Sequence, residues 1–359
     1  MRTLPPGFHS HRLLLAGAFW LGALSLASPP AEAAELQAYA GAVGGIASGT
    51  GSIFACATSG PTIGSGWFAG VSIPTEGFAA CNLGGGIQDK TAASGLLTAY
   101  QNVAAPVGGG SFTGEASARA EYGRLGVAAN GTMTGASTSS TYRQTAGFAR
   151  FQDTLTLTNP GIADGTAGSV DFAFLIDGVM KSLPNAPSSQ QGDIALGIRV
   201  GSGVGNAGRA PWYSFQATVG NDGLPYVRGG GTGLPGSFVL GPGSLQGSAE
   251  VLSTANFDIR WGEAFEVEVA FWTSVWPCCN GASVSSDFMS TALLTGISAR
   301  AGGVAITTDF SVLSASGTAY GPGGLLPVPE PTSVALLSSG LVVLLARRRW
   351  RRAADQSSL

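Results

Sequence analysis

Hydrophobic and polar positions alternate with a period of two in several stretches of the chain. In "DTLTLT" (153–158), Leu155 and Leu157 share one face of an extended segment, and Thr154, Thr156 and Thr158 share the other. "SVDFAFLIDG" (169–178) sets Val170, Phe172, Phe174 and Ile176 against Asp171, Ala173, Leu175 and Asp177. "EAFEVEVAFWTSV" (263–275) sets Phe265, Val267, Val269 and Phe271 against Glu266, Glu268, Ala270 and Trp272. Successive side chains of a strand point to opposite faces, so each pattern predicts a strand with one buried face and one solvated face. Turn chemistry falls between them, at Asn130-Gly131, Asn159-Pro160-Gly161, Asp164-Gly165 and Asn221-Asp222-Gly223. Away from the two ends, no long segment carries a helical stripe. Many short strands with Gly-rich turns predict an all-β fold, an antiparallel β-sandwich of jelly-roll-like type, as one ectodomain over residues 34–320. From about residue 36 to 115 the Ala, Gly and Ser residues offer little core, which suits thin strands or a partly loose region. After Tyr320, "GPGGLLPVPEP" reads as a stalk over 321–331.

The two ends follow a different pattern. Arg2 and Arg12 precede the apolar stretch "LLLAGAFWLGALSLA" (13–27), and "SPPAEAA" follows with small residues at Ala31 and Ala33. That order is the grammar of a secretory signal peptide, with cleavage expected after Ala33 and residues 1–33 removed. At the other end, Val328-Pro329-Glu330-Pro331 leads into an apolar run from Thr332 to Ala346. Arg347, Arg348, Arg349, Arg351 and Arg352 then cluster around Trp350. As a helix the run covers roughly 22 Å of a hydrocarbon core about 30 Å thick, so it makes a short membrane helix whose arginines stay on the cytoplasmic side. Two prolines just before it deny the backbone a helix and leave an extended segment that a protease can grip.

This tail resembles the PEP-CTERM sorting signal of Gram-negative bacteria. The resemblance implies recognition of residues 328–352 by a membrane-embedded exosortase, cleavage near the triplet, and association with the cell surface or an exopolysaccharide matrix. Two further stretches resemble bodies found before such tails. One is "ASARAEYGRLGVAANGT" (116–132) leading to "FARFQDTLTLTNPG"; the other is "DFMSTALLTGISARAGG" (287–303) leading to "DFSVLSASGTAY". They imply one continuous ectodomain and supply no activity.

Composition sharpens the picture of the body. Gly and Pro together make 75 of 359 residues, below the level of a disordered low-complexity chain, and charged residues are only 11%. Between Ala34 and Pro329 there are 18 acidic residues against 11 basic ones, because seven of the sixteen arginines sit in the end segments. An acidic exported body argues against nucleic acid or anionic lipid as a partner and is compatible with neutral glycans or divalent cations. The four cysteines, Cys56, Cys81, Cys278 and Cys279, read as disulfides in an oxidising compartment. Cys56 with Cys81 is the preferred pair, closing a loop of about 25 residues. The crossed pairings to Cys278 and Cys279 stay open, and a thiolate metal site is not expected.

The search for chemistry ends mostly in exclusions. The only histidines, His9 and His11, lie in the signal peptide, so the mature body lacks the residue for a Ser-His-Asp site or a histidine-ligated zinc. Glycine runs at 84–86, 108–110 and 229–231 sit in no strand-to-helix frame and read as turns or loops. Glu266 and Glu268 share one strand face and could form a glycosidase pair, although a solvated outer face explains them as well. Trp272 lies on the same face and is the candidate for stacking on a sugar ring, with Trp212-Tyr213, Trp261 and Trp276 as further aromatics. Calcium could be held by Asp164, Asp171, Asp177 or Asp193, although no D-x-D-x-D-G loop is present. The expectation is therefore a surface or matrix protein without catalytic activity, with a carbohydrate-binding module as the alternative.

Overall fold

The computed structural model describes residues 34–46, 83–136, 138, 141–182, 191–201, 212–219, 225–226, 236–241, 243–307 and 309–326. These residues form strands and turns, with no helix among them. In chain order the strands are β1 (Glu35–Ile46), β2 (Gly84–Ala92), β3 (Leu97–Val107), β4 (Gly110–Glu121), β5 (Arg124–Thr134), β6 (Thr141–Thr158) and β7 (Ala167–Ser182). Next come β8 (Gln191–Gly201), β9 (Trp212–Val219), β10 (Pro225–Tyr226), β11 (Val239–Gly241), β12 (Ser244–Leu252), β13 (Phe257–Arg260) and β14 (Ala264–Trp276). The last are β15 (Ala282–Ala301), β16 (Val304–Ile306), β17 (Ser311–Ser314), β18 (Tyr320–Gly321) and β19 (Gly324–Leu325).

All pairings are antiparallel and build two sheets. The first runs β10-β9-β8-β14-β6-β17-β18-β19, with β1 paired to β6 and β2 to β1. The second runs β11-β12-β7-β15-β5-β4-β3, with β13 on β7 and β16 on β15. The long strand β6 organises the first sheet: one side pairs along β14, while the other pairs first with β1 and then with β17.

The three alternating stretches form β6, β7 and β14, and their apolar faces meet. Leu155 and Leu157, then Val170, Phe172, Phe174 and Ile176, then Phe265, Val267, Val269 and Phe271 all enter one hydrophobic cluster drawn from both sheets. Phe271 and Phe288 meet edge-to-face across it, with ring centroids 6.2 Å apart. The second sheet keeps the expected alternation, burying every other residue along β4 and exposing or half-exposing the rest. The first sheet does not. In β14 every residue from Phe265 to Val275 is buried, and β1 is buried from Ala38 to Gly45.

The small residues of the Ala/Gly-rich region turn out to make room for large ones. Phe112, fully buried on β4, lies where a Cβ on Gly44, Gly114 or Gly131 would stand 2.3, 3.1 and 3.1 Å from its ring. A Cβ on Gly147 of β6 would stand 2.5 Å from the carbonyl oxygen of Ser117 on the opposite sheet, so the two sheets pinch together there. Thr145 Oγ1 donates across the same gap to Asn130 O at 2.8 Å. For this reason Asn130-Gly131 is not a turn but lies inside β5, and the glycines at 84–86 lie in β2. The turns at 159–161 and 164–165 are present, and so is the one at Gly108-Gly109. Asn221-Asp222-Gly223 and the run at 229–231 lie outside the described residues.

The edge strand β3 is partly capped by side chains. Gln88 Oε1 accepts from Tyr100 N–H at 2.9 Å, Lys90 Nζ donates to Thr98 O at 2.7 Å, and Pro106 has no N–H to offer. Such capping blunts strand addition by another chain.

The stalk begins later than the sequence implies. Residues 320–325 form the β18–β19 hairpin, so at least 321–326 belong to the folded body. Its anchor is Asp153, only 1% exposed on the inner face of β6. Its carboxylate accepts from Ser314 Oγ (2.7 Å), Ser316 Oγ (2.6 Å), Ser316 N–H (3.0 Å), Thr154 N–H (2.9 Å) and Tyr320 OH (3.3 Å). This cluster ties the chain from 314 to 320 to the core.

Candidate functional site

The outer face of the first sheet brings together the acidic and aromatic residues singled out in the sequence. Antiparallel register places Tyr39, Phe148 and Trp272 side by side on β1, β6 and β14. One end of this row continues into a charged one. Arg150 Nη1 donates to Glu268 Oε1 at 2.9 Å, and Arg150 Nη2 donates to Glu35 Oε1 at 2.7 Å. Arg199 Nη1 reaches Glu268 Oε2 at 3.5 Å. Towards the other end, Tyr142 OH donates to Gln144 Oε1 at 2.6 Å, and Gln144 Nε2 donates to Ser274 Oγ at 3.2 Å.

This face is not an open platform. Trp272 is 1% exposed, Glu268 4% and Glu266 5%, and Tyr39 and Phe148 are equally enclosed. Burial holds the Tyr39 and Tyr142 hydroxyls well above the usual tyrosine range, so both stay protonated. The solvated outer face expected for Glu266 and Glu268 is therefore corrected, since both are buried. Glu268 is paired with two arginines, and Trp272, Glu266 and Glu268 are all buried. The residues that complete the row, Arg150, Arg199 and Glu35, stand 118, 69 and 233 positions from Glu268 and carry no local signal in the sequence.

The other aromatic and acidic candidates scatter. Trp261 is fully buried, donates from Nε1 to Arg300 O at 3.1 Å and packs edge-to-face on Phe310. Asp171 accepts from Ser253 Oγ and Asn256 N–H; burial raises its pKa and those two donors partly offset the rise. Asp164 sits in the turn facing Gly262, Asp177 lies on β7 and Asp193 on β8. Among the described residues, no three acidic, histidine or cysteine side chains gather as a metal site would require. Cys278 and Cys279 are bonded to each other, and Cys56 and Cys81 lie outside the described residues.

Two open cavities lie elsewhere. One of about 510 Å³ is lined by Asp177, Gln246, Asp287, Met289 and Ser290, at the point where β15 bulges between Phe288 and Ala292. The other, about 850 Å³, is lined by Tyr122, Arg124, Leu293, Thr295, Leu325 and Leu326, where the described body ends.

Ala31 and Ala33, the Val328-Pro329-Glu330-Pro331 segment, and Arg347, Arg348, Arg349, Arg351 and Arg352 also lie outside the described residues. A family model bears directly on the last two groups: residues 327–352 match the PEP-CTERM protein-sorting motif. No curated protein and no solved structure matches the chain. The motif covers the sorting signal alone, and it implies export, exosortase processing and delivery to the cell surface or extracellular space. By residues 327–352, the chain is a PEP-CTERM sorting-domain protein.

Proposed function

We propose that the body is a structural or adhesive module of the cell surface or extracellular matrix, without catalytic activity of its own. In this reading a signal peptide over 1–33 starts export. The apolar run 332–346 then holds the chain in the membrane with its arginines inside, and exosortase cuts near Val328-Pro329-Glu330-Pro331. The carrying observation is the sorting motif beginning one residue after a folded all-β body. Two facing antiparallel sheets around one core support the sandwich, of jelly-roll-like type. The ion pairs on Glu268 support a scaffold role over acid–base work, because both of its carboxylate oxygens are already taken up by guanidiniums.

The test is deletion of residues 327–359 followed by fractionation of cells, matrix and medium. The deletion is expected to turn a retained or processed protein into a freely released one. Unchanged fractionation would refute the sorting reading. Mass spectrometry of the native product should find a C-terminus near the triplet, without the arginine cluster.

A further inference from the structure

The sorting motif starts at residue 327, and the last described residue of the body is Leu326. The backbone of Leu326 is still tied to the fold, its N–H donating to Ala319 O at 2.9 Å. From Leu326 to Pro329 the chain reaches at most about 10 Å. An enzyme that cuts a backbone must first hold it extended in a cleft, as peptide-binding sites do. With so short a tether, the residues on the body side of the triplet are still folded when the cleft arrives.

The structure offers one segment that can yield. Residues 321–326 lie across the end of both sheets, with Ile297 N–H donating to Pro322 O at 3.1 Å. Gly324 has φ +81° and sits where a Cβ would fall 2.3 Å from Leu294 O. Leu325 packs onto Gly123, where a Cβ would stand 2.8 Å from its side chain. Gly321 and Gly324 are buried and Leu325 packs against the main core, yet Leu326 is 45% exposed and the β18–β19 pairing spans only two residue pairs. Tyr320 just before it is fixed: it is 4% exposed and its hydroxyl lies on Asp153. The division between anchored and loosely held chain therefore falls between Tyr320 and Gly321.

We infer that residues 321–326 form a strap that must peel from the body before the sorting signal can be cut, with Tyr320 as the fixed hinge. Peeling adds six residues, about 20 Å of reach. Sub-global opening of a small, weakly tied element is the ordinary low-energy motion of a folded domain. The strap thus sets the processing rate through its own opening equilibrium while the rest of the body stays folded. This inference rests on the sorting reading above.

The test uses the full chain in cells that carry the exosortase. A six-residue Gly-Ser spacer is inserted between Leu326 and Pro327, and processing is followed by pulse–chase with mass spectrometry of the product. The spacer supplies the reach without peeling and is expected to speed processing at least roughly tenfold, because peeling breaks two backbone hydrogen bonds and the packing around them. Gly324→Ala, which forces a side chain into positive φ and against Leu294 O, is expected to speed the natural chain and leave the spacer chain unchanged. Protease resistance of the released product confirms that the body has folded. A spacer chain processed at the natural rate overturns the strap. A slower spacer chain also overturns it, showing that the enzyme needs the end of the body close by. Equal acceleration by Gly324→Ala at both spacings overturns it as well, since the effect would then be general loosening. If the natural chain is never cut, the sorting reading itself fails.

Discussion

Asp153 is the point at which the chemistry of one side chain decides how the C-terminal part of the body is held. Its carboxylate is buried, with no cation paired to it among the described residues, and five donors converge on it. Oδ1 receives the N–H groups of Thr154 and Ser316, while Oδ2 receives the hydroxyls of Ser314, Ser316 and Tyr320. Hydrogen bonds to a charged acceptor contribute roughly 1.5–3 kcal/mol each, and they do not add. Asp153→Ala removes the shared acceptor of five donors, two of them backbone N–H groups, and is expected to cost about 4 kcal/mol, a large fraction of a typical domain's stability. Asp153→Asn separates charge from connectivity. Its amide oxygen can keep the two backbone N–H bonds, and its NH₂ then faces hydroxyls, which rotate and accept as well as donate. Ser316 Oγ already has Thr318 Oγ1 within 2.9 Å as another acceptor, and it lies 2.7 Å from Ser314 Oγ. The asparagine variant should therefore lose only about 1–2 kcal/mol. Urea unfolding of the exported body, read at constant m-value, measures both. If Asn is as damaging as Ala, or if Ala costs less than about 1 kcal/mol, the cluster does not hold the 314–320 segment as described.

Two further predictions follow from the buried groups. Burial holds the hydroxyls of Tyr39, Tyr142 and Tyr320 well above the ordinary value of 10.0, and Tyr122 is pushed up to about 12. The folded state keeps these protons after the unfolded chain would lose them, so their contribution is complete below pH 10 and falls as pH rises. Each tyrosine removes about 1.4 kcal/mol per pH unit, so the three most perturbed together remove about 4. Cooperative unfolding with simultaneous tyrosinate absorbance is expected within about two units above pH 10, and a gradual titration with the fold intact would contradict it. On the outer face of the first sheet, Glu268→Gln takes a charged partner from both Arg150 and Arg199, at an expected cost of about 3 kcal/mol. Adding Arg199→Met should return a good part of that loss, and a double-mutant cycle showing no coupling would remove the ion pair from the account.

What the sequence conveys and what it conceals divide along a physical line. β6, β7 and β14 were legible because alternation is a local property, fixed by the opposite directions of neighbouring side chains. The sorting signal was legible for a similar reason. Its enzyme reads a linear order of proline, apolar run and arginine, and that order exists before anything folds. The outer face of β14 was not legible, because "EVEVAFW" looks the same whether its glutamates meet water or arginine. The partners that decide the matter are Arg150 and Arg199, brought alongside only when β6 and β8 flank β14. Glycine misled in the same way. Gly131 next to Asn130 has the composition of a turn, yet it sits mid-strand because the ring of Phe112 and the ring of Pro277 both lie about 3.1 Å from where its Cβ would be. A glycine in a strand records a neighbour's bulk, and that neighbour can come from anywhere in the chain. The end of the body is hidden in the sequence for the same cause. "GPGGLL" is flexible by composition, but Asp153, almost 170 positions earlier, anchors Tyr320 just ahead of it and so brings Leu325 onto Gly123. Any segment whose state depends on such distant contacts needs the fold before its role can be read, and the strap before the sorting motif is the case with the most direct consequence for processing.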